Sequence, residues 1–302
     1  MAALIAQVRD ASLARVAILS EEDTVTLKVF PVRNGVGTWK IELPAKVRDA
    51  FGAWVAHNGA TALSQPGAGI IIDLPGGQRF TGPVVGATYT ETTEGPRGTW
   101  VIQGVSDAVV LADRLAFPDP TVADPQASSL SKPYDVRTAP AETLMHQYVT
   151  ANIGPAQTNA RRDSRIAMGV NMGRGASRPK SARFPTLLAL CQELATDGLL
   201  FDVVQVGTSL QFRTNVAIDR SADIRLDVLS DSLDSAGYAV GAPSTTSVIV
   251  LGQGEGTDRS IRTRTNAAAQ TDATKWARYI ETVVDARGTE DDLELDAKGD
   301  EI

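Results

Sequence analysis

The chain has 302 residues, 43% of them apolar, enough for about two domains of roughly 150 residues each. Its 36 acidic and 29 basic residues leave a net charge of −7, which excludes the basic surface of a dedicated duplex-DNA binder. One cysteine and two histidines, His57 and His146, exclude an intramolecular disulfide, a cysteine-rich zinc site and a histidine-rich metal centre.

No cofactor is expected. No apolar run approaches the roughly 20 residues that cross a bilayer, so no stable membrane insertion is expected. Residues 1–23 lack the basic and apolar stretches of a signal peptide. The expectation is a soluble protein made in a reducing cytoplasm.

Residues 24–30 place Val25, Leu27 and Val29 on one face and Thr26 and Lys28 on the other. Trp39, Ile41 and Leu43 repeat the pattern against Lys40 and Glu42. A period of two marks half-buried strands, and Asn34-Gly35 between them supplies the positive-φ positions of a tight turn. Over 46–56 the spacing of Val47, Phe51, Trp54 and Val55 predicts a helix that stops at Asn58-Gly59, with His57 favourably placed at its C-terminus. Strands are expected at 69–74, at 79–90 with Pro83 marking an edge or bend, and at 99–105, with turns at 75–77 and 94–98. About five strands, short turns and one helix fit a small antiparallel barrel or sandwich.

Residues 119–133, rich in Pro, Ser, Asp and Ala, read as a linker. A helix over 138–153 has Pro140 and Glu142 in its first turn, an apolar stripe of Leu144, Met145, Tyr148 and Val149, and a stop at Gly154-Pro155. Residues 161–183 hold seven basic residues against one acid and read as a largely exposed loop with one strand near 166–170. A second helix over 185–196 aligns Leu187, Leu190, Cys191 and Leu194 and ends at Gly198. Strands follow at 199–206 and 209–214, joined at Gly207-Thr208, then at 224–229, 247–251, 259–265 and 279–285, with a helical turn at 272–278. The fold class is therefore α+β, mainly antiparallel β, as two barrel-like domains around a helical, loop-rich middle. The division runs 1–118, linker 119–133, 134–287 and an acidic segment 288–302.

Gly252-Gln253-Gly254-Glu255-Gly256 follows a strand, as a nucleotide-binding loop must. Its glycine spacing is wrong, no helix opens after it, and Glu255 would repel a phosphate. A glycine hairpin or subunit-contact loop is the better reading. The basic residues Arg161, Arg162, Arg165, Arg174, Arg178, Lys180 and Arg183 lack the interleaved aromatics of a single-strand binder and suit a solvated loop or an acidic partner. Cys191 sits on an apolar helix face, where thiols are inert packing, so pairing with His146 as nucleophile and base is disfavoured. Carboxylate pairs such as Asp119 with Asp124, or Glu290, Asp291 and Asp292, are too common to single out. Trp39, Trp54, Trp100 and Trp276 occupy apolar-face positions and read as core. No catalytic, cofactor or metal residue is assigned. Arg161, Arg162, Arg165, Arg174 and Arg178, with Gly252, Gly254, Glu255 and Gly256, are the candidate subunit-interface or partner-docking residues.

Several stretches carry a joint resemblance: Gly37-Thr-Trp-Lys-Ile-Glu-Leu-Pro44, Leu111-Ala-Asp-Arg-Leu-Ala-Phe-Pro-Asp-Pro120, Pro133-Tyr-Asp-Val-Arg-Thr-Ala-Pro-Ala-Glu-Thr-Leu144, Asn152-Ile-Gly-Pro155, Arg183-Phe-Pro-Thr-Leu-Leu188 and Val250-Leu-Gly-Gln-Gly-Glu-Gly256. Together they resemble the siphovirus minor tail proteins of actinobacteriophages, over most of residues 20–287. The resemblance implies a structural virion protein related to phage tail hub and baseplate hub proteins, with tail-tube-type barrel domains. It implies a homotrimeric ring of pseudo-sixfold symmetry at the distal tail tip. The implied partners are the distal tail protein, the tape measure protein and other tail-tip proteins, with non-specific passage of phage DNA. It offers no catalytic residues. Relatives continue with strand-rich sequence where this chain stops, so either another polypeptide completes the second barrel or this version is shorter. The competing readings are a tail-associated cell-wall hydrolase and a host carbohydrate-binding module. Residues 285–302 carry eight acids and two bases, whereas 1–284 carry 28 acids and 27 bases. The acidity belongs to the end of the chain, which is expected to be a polar, mobile or partner-docked segment facing the basic loop at 161–183 of this or another subunit.

Overall fold

A computed structural model describes residues 6–19, 26–74, 77–92, 95–126, 130–195, 198–219, 222–223, 235, 237 and 239–302. The chain forms two compact units. The first comprises Met1–Asp135, Pro140–Ala176 and Ala182–Val216, and the second Val136–Ala139, Ser177–Ser181 and Ala217–Ile302.

The first unit opens with β1 (Ala6–Arg9), β2 (Arg15–Leu19), β3 (Thr26–Phe30), β4 (Thr38–Pro44), a small hairpin of β5 (Lys46–Arg48) and β6 (Trp54–Ala56), α1 (Asn58–Leu63), β7 (Gly69–Asp73), β8 (Arg79–Thr92) and β9 (Gly95–Val105). Seven of these strands make one antiparallel sheet in the order β2-β1-β7-β8-β9-β4-β3. Laid flat at about 4.8 Å per strand, its end strands would stand about 29 Å apart. Instead Ala17 and Leu19 of β2 and Leu27 and Val29 of β3 pack on one core with Val8, Trp39, Ile41, Leu43, Ile70, Ile72 and Ile102. The sheet therefore rolls around its own interior, with Leu63 of α1 reaching the same core. The alternation predicted for 24–30 and 38–43 is what places Trp39, Ile41 and Leu43 inside.

Two devices produce the curvature. Strand β8 pairs with β7 from Arg79 to Pro83 and with β9 from Val84 onward, with a bulge between Val84 and Gly86. Pro83, without an N–H, stands at that join, which is the bend its sequence position predicts. At Gly82 a Cβ would lie 1.7 Å from the Val105 carbonyl oxygen, so only glycine admits this close strand approach.

The helix predicted over 46–56 is instead the β5–β6 hairpin. Asp49 Oδ1 accepts from Phe51 N and Ala53 N, and Gly52 adopts φ 83°. This closes a tight turn that no helix could contain and leaves Phe51 96% exposed. The helix begins later, at Asn58-Gly59, the pair read as its stop. His57 is the N-cap and not a C-terminal partner: its Nδ1 accepts from Ala60 N at 3.0 Å. That bond requires a lone pair on Nδ1.

After β9 come α2 (Val109–Ala112), β10 (Asp135–Pro140), α3 (Ala141–Asn152), β11 (Ile166–Met168), β12 (Ser177–Ala182), α4 (Leu187–Leu194), β13 (Leu199–Val206) and β14 (Ser209–Val216). Leu144, Met145, Tyr148 and Val149 of α3 are buried, as are Leu187, Leu190, Cys191 and Leu194 of α4, the stripes read from the sequence. Thr186 caps α4 by accepting from Ala189 N. The β13–β14 hairpin turns at Gly207, φ 61°, and β11 joins it in parallel.

The stretch 119–133 lies within the first unit. Asp119 is buried and accepts hydrogen bonds from Thr121 and Ser131, which hold its carboxyl at about 2, and Gln157 Nε2 donates to Pro120 O. The polar composition that reads as linker is used to satisfy buried groups.

The second unit holds the β10–β12 pair and a three-stranded sheet of β15 (Ser247–Leu251), β16 (Ile261–Arg264) and β17 (Glu281–Asp285) in the order β16-β15-β17, together with α5 (Ala267–Lys275) and α6 (Asp292–Asp300). Strand β17 runs parallel to β15, and α5 begins five residues before the predicted turn. The strand expected at 224–229 lies outside the described residues. The acidic end is a helix and not a free segment. Asp291 caps α6, and Leu295 is buried with Val248, Val250 and Ala286. Asp296 pairs with Arg262 and Arg264, and Asp300 with Arg264.

Candidate interaction site

Arg161, Arg162, Arg165 and Arg174 lie in the first unit, and Arg178, Gly252, Gly254, Glu255 and Gly256 in the second. Most of the arginines are engaged within the chain. The Arg161 guanidinium lies 3.3 Å from the centroid of the Phe117 ring and donates to Leu115 O at 2.6 Å and Asn152 Oδ1 at 3.3 Å. Burial pulls its pKa down to about 10. Arg165 pairs with Asp163 at 2.8 Å. Arg178 reaches Glu301 at 3.7 Å, and the Ser181 hydroxyl donates to Glu294, both between the basic stretch and the acidic end. Arg162 is exposed. The loop is thus less charged toward solvent than its composition suggests.

In the glycine loop, Gly252 is buried. A Cβ there would meet Leu295 Cδ1 at 2.8 Å and Thr289 O at 2.9 Å. Gly254, Glu255 and Gly256 are exposed, and Gly254 and Gly256 take φ 105° and 56°. A three-residue 3₁₀ turn, Gly256–Asp258, opens at the end of the loop where no helix was expected, and the expected strand β16 comes after it. Arg259 ties the loop down by donating to Gly252 O, Leu251 O and Asp285.

Arg174 belongs to a buried polar network that the sequence reading missed. The Glu142 carboxylate accepts from Arg174 N, Nε and Nη2 at 2.7, 3.0 and 2.9 Å and from the Thr214 hydroxyl at 2.6 Å. Burial would raise the Glu142 pKa, but these donors outweigh it and hold it at about 2. His146 Nε2 stands 3.1 Å from Thr214 Oγ1. The Thr214 proton is committed to Glu142, so Nε2 carries the ring proton and donates. Burial lowers the His146 pKa and keeps the ring neutral. Its partner is Thr214 and not Cys191, whose buried thiol is pushed up by desolvation. Glu142 stands 32 residues from Arg174 and 72 from Thr214, a separation that leaves no local sequence signal.

The Asn34 turn does more than join two strands. With φ 51°, Asn34 presents its amide to β13, donating to Leu199 O at 3.0 Å and accepting from Phe201 N at 2.9 Å. Beside it lies a cleft of about 390 Å³ lined by Pro31, Val32, Arg33, Leu200, Asp202 and Arg213, among others. Among the described residues no cluster of His, Cys, Asp and Glu is placed to hold a metal, and no helix is long and apolar enough to cross a membrane.

The model of the Siphovirus ReqiPepy6 Gp37-like protein family matches residues 5–301. The chain belongs to this siphovirus tail protein family. No curated protein matches it. Among solved structures it is similar to prophage tail protein gp18 of Listeria monocytogenes, with 13% identity and a TM-score of 0.47, covering 95% of this chain and 73% of that one. It is similar to the 43 kDa tail protein of prophage MuSo2 from Shewanella oneidensis, with 13% identity and a TM-score of 0.43, covering 98% and 72%. It is also similar to a chain of the Francisella PdpA-VgrG complex, with 10% identity and a TM-score of 0.44, covering 96% of this chain and 46% of that one. The fold is the mainly antiparallel β architecture with a few helices that the sequence implied.

Proposed function

We propose that this chain is a structural component of the phage tail, forming the tail hub as a homotrimeric ring at the distal tip. There it joins the tail tube and distal tail protein to the tape measure protein and other tip components and lets DNA pass through. The observation that carries this reading is the family match along residues 5–301. The rolled sheet supports it. Strands β2 and β3 end the strand order and have no strand on their outer sides among the described residues. Val16 and Ile18 of β2 are 50% and 71% exposed, and Phe30 of β3 is 59% exposed. Edges carrying exposed apolar side chains are liabilities in a monomer, and a heterologous interface repeated around a threefold axis would cover them.

A structural role, not an enzymatic one, fits the buried groups: Glu142 is saturated with donors and Cys191 is held as a thiol. The test is native mass spectrometry of the purified chain with cryo-electron microscopy of assembled tails. Threefold density at the tip that accommodates the rolled sheet is expected. A chain that stays monomeric at all concentrations and is absent from the tip overturns the reading.

A further inference from the structure

We propose that the cleft between the Pro31–Asn34 turn and the outward face of the β13–β14 hairpin binds a small hydroxylated carboxylate, such as a sugar acid, through Arg213 and Arg33. The cleft lies within the first unit, and its volume of about 390 Å³ falls in the range of small-molecule sites, roughly 300–1,000 Å³. Arg213 approaches Asp202 only to 3.6 Å, and its Nε is shielded from solvent with no hydrogen-bond partner. A guanidinium offers five donors in a planar fork, and a buried unmatched donor is costly. Arg33, on the opposite wall, is exposed and has no hydrogen bond or ion pair with any described residue. Two arginines lining one cleft, one with an unmatched Nε and one without a described partner, supply the chemistry that binds a carboxylate. Asn215 and Gln78 add side-chain amides, and Pro31, Val32 and Leu200 an apolar wall. That combination suits a ligand with hydroxyl groups and a C–H face beside its acid.

Asp202 makes the site pH-dependent. Oδ1 accepts from Val203 N at 2.8 Å, and burial raises the carboxyl to about 6 although 36% of the side chain remains open. The charged groups around it are Arg213 of β14, Arg33 of the turn, Arg79 of β8, which is paired with Asp73, and Asp107 after β9. Ionised Asp202 competes with a ligand carboxylate for Arg213, and protonated Asp202 does not. With a pKa of about 6, Asp202 is protonated in ~3% of molecules at pH 7.5 and ~90% at pH 5. Binding that requires the proton therefore tightens up to ~30-fold across this range.

The probes are glucuronate, glucose and inorganic phosphate, titrated into the full-length chain by heteronuclear NMR and calorimetry. Glucuronate is expected to bind saturably below ~10 mM, more tightly at pH 5 than at pH 7.5, while glucose does not bind. Arg213→Gln weakens it at least ~tenfold. Arg33→Gln, at an exposed position that tests the site without risk to folding, weakens it severalfold. Asp202→Asn binds at pH 7.5 as the native chain does at pH 5, and its affinity no longer changes with pH. Three outcomes overturn the proposal: no saturable glucuronate binding at pH 5, binding unchanged in both arginine variants, or phosphate binding as tightly as glucuronate, which would indicate an unspecific anion patch.

Discussion

Asp107→Asn tests what holds the first unit together. Arg9 and Asp107 are each 3% exposed, and Arg9 reaches both carboxylate oxygens, with Thr81 donating to Oδ2. Gln205 Oε1 accepts from Arg9 Nη1 at 2.9 Å, and Gln205 Nε2 donates to Leu13 O and Gly207 O. In Asp107→Asn the amide NH₂ faces a guanidinium N–H whichever way it is flipped, and Arg9 is left as a buried charge without a counter-ion. Breaking one partner of a buried pair costs about 3–5 kcal/mol, and that is the expected loss. Urea unfolding followed by tryptophan fluorescence measures it, because Trp39, Trp54 and Trp100 lie in the first unit and Trp276 in the second. With Arg9→Met as the second single variant, the double variant Arg9→Met with Asp107→Asn removes both charges and closes the cycle. It should lose at least ~2 kcal/mol less than the sum of the single variants. A loss under ~1 kcal/mol for Asp107→Asn, or strict additivity in the cycle, would refute the reasoning.

Three further outcomes follow from the same structure. The Glu142 carboxyl is depressed from its usual value to about 2, so its stabilisation is present above about pH 4.5 and is lost as pH falls through 2, a contribution on the order of 1–3 kcal/mol. Urea midpoints from pH 6 to pH 2.5 should show this slope, and Glu142→Gln should flatten it. Gly82→Ala drives a methyl into the Val105 carbonyl and should cost about 3 kcal/mol or prevent folding; soluble yield and thermal melting report it, and a variant within ~0.5 kcal/mol of the native chain would contradict the close β8–β9 approach. Leu295→Ala should destabilise the second unit by about 2–5 kcal/mol, seen at Trp276, whereas Asp296→Asn, at a part-exposed ion pair, should cost about 1 kcal/mol or less and less still at high salt.

The elements legible in the sequence are those with enough residues to show a period. The eight-residue strands β13 and β14, the turn at Gly207 and the Leu187–Leu190–Cys191–Leu194 stripe all stand where alternation and helical spacing put them. The 46–56 segment defeats the same method because each arm of its hairpin has three residues, too few to alternate. Val47, Phe51, Trp54 and Val55 then match a helical spacing by coincidence, and the decisive residue is Asp49, whose side chain folds back onto its own backbone. The acidic end misleads for a related reason. Its one deeply buried aliphatic side chain, Leu295, is outnumbered by acids, and the arginines that answer them sit on β16, some thirty residues away. Among the candidate residues, the sequence locates Arg174 but not Glu142 as its partner. It locates Asn34 as a turn but not as an anchor for β13, because those partners lie 165 and 167 residues on.

The outer edge of β13 shows why these distant polar contacts matter to assembly. Three of its outward amides are taken by side chains: Phe201 N by Asn34 Oδ1, Val203 N by Asp202 Oδ1 and Gln205 N by Thr81 Oγ1. A strand whose N–H groups are already satisfied cannot add to another sheet edge without breaking those bonds. Asn34 and Thr81 come from the rolled sheet itself, so β13 docks against it without becoming its eighth strand. The sheet thereby keeps β2 and β3 as its ends, and these are the edges on which the proposed ring depends. Thr81 serves both jobs, donating to Asp107 and accepting from Gln205 N. Thr81→Val should therefore loosen β13 and the Arg9 network together, and hydrogen exchange should speed at Gln205 N first while β2 and β3 keep their protection.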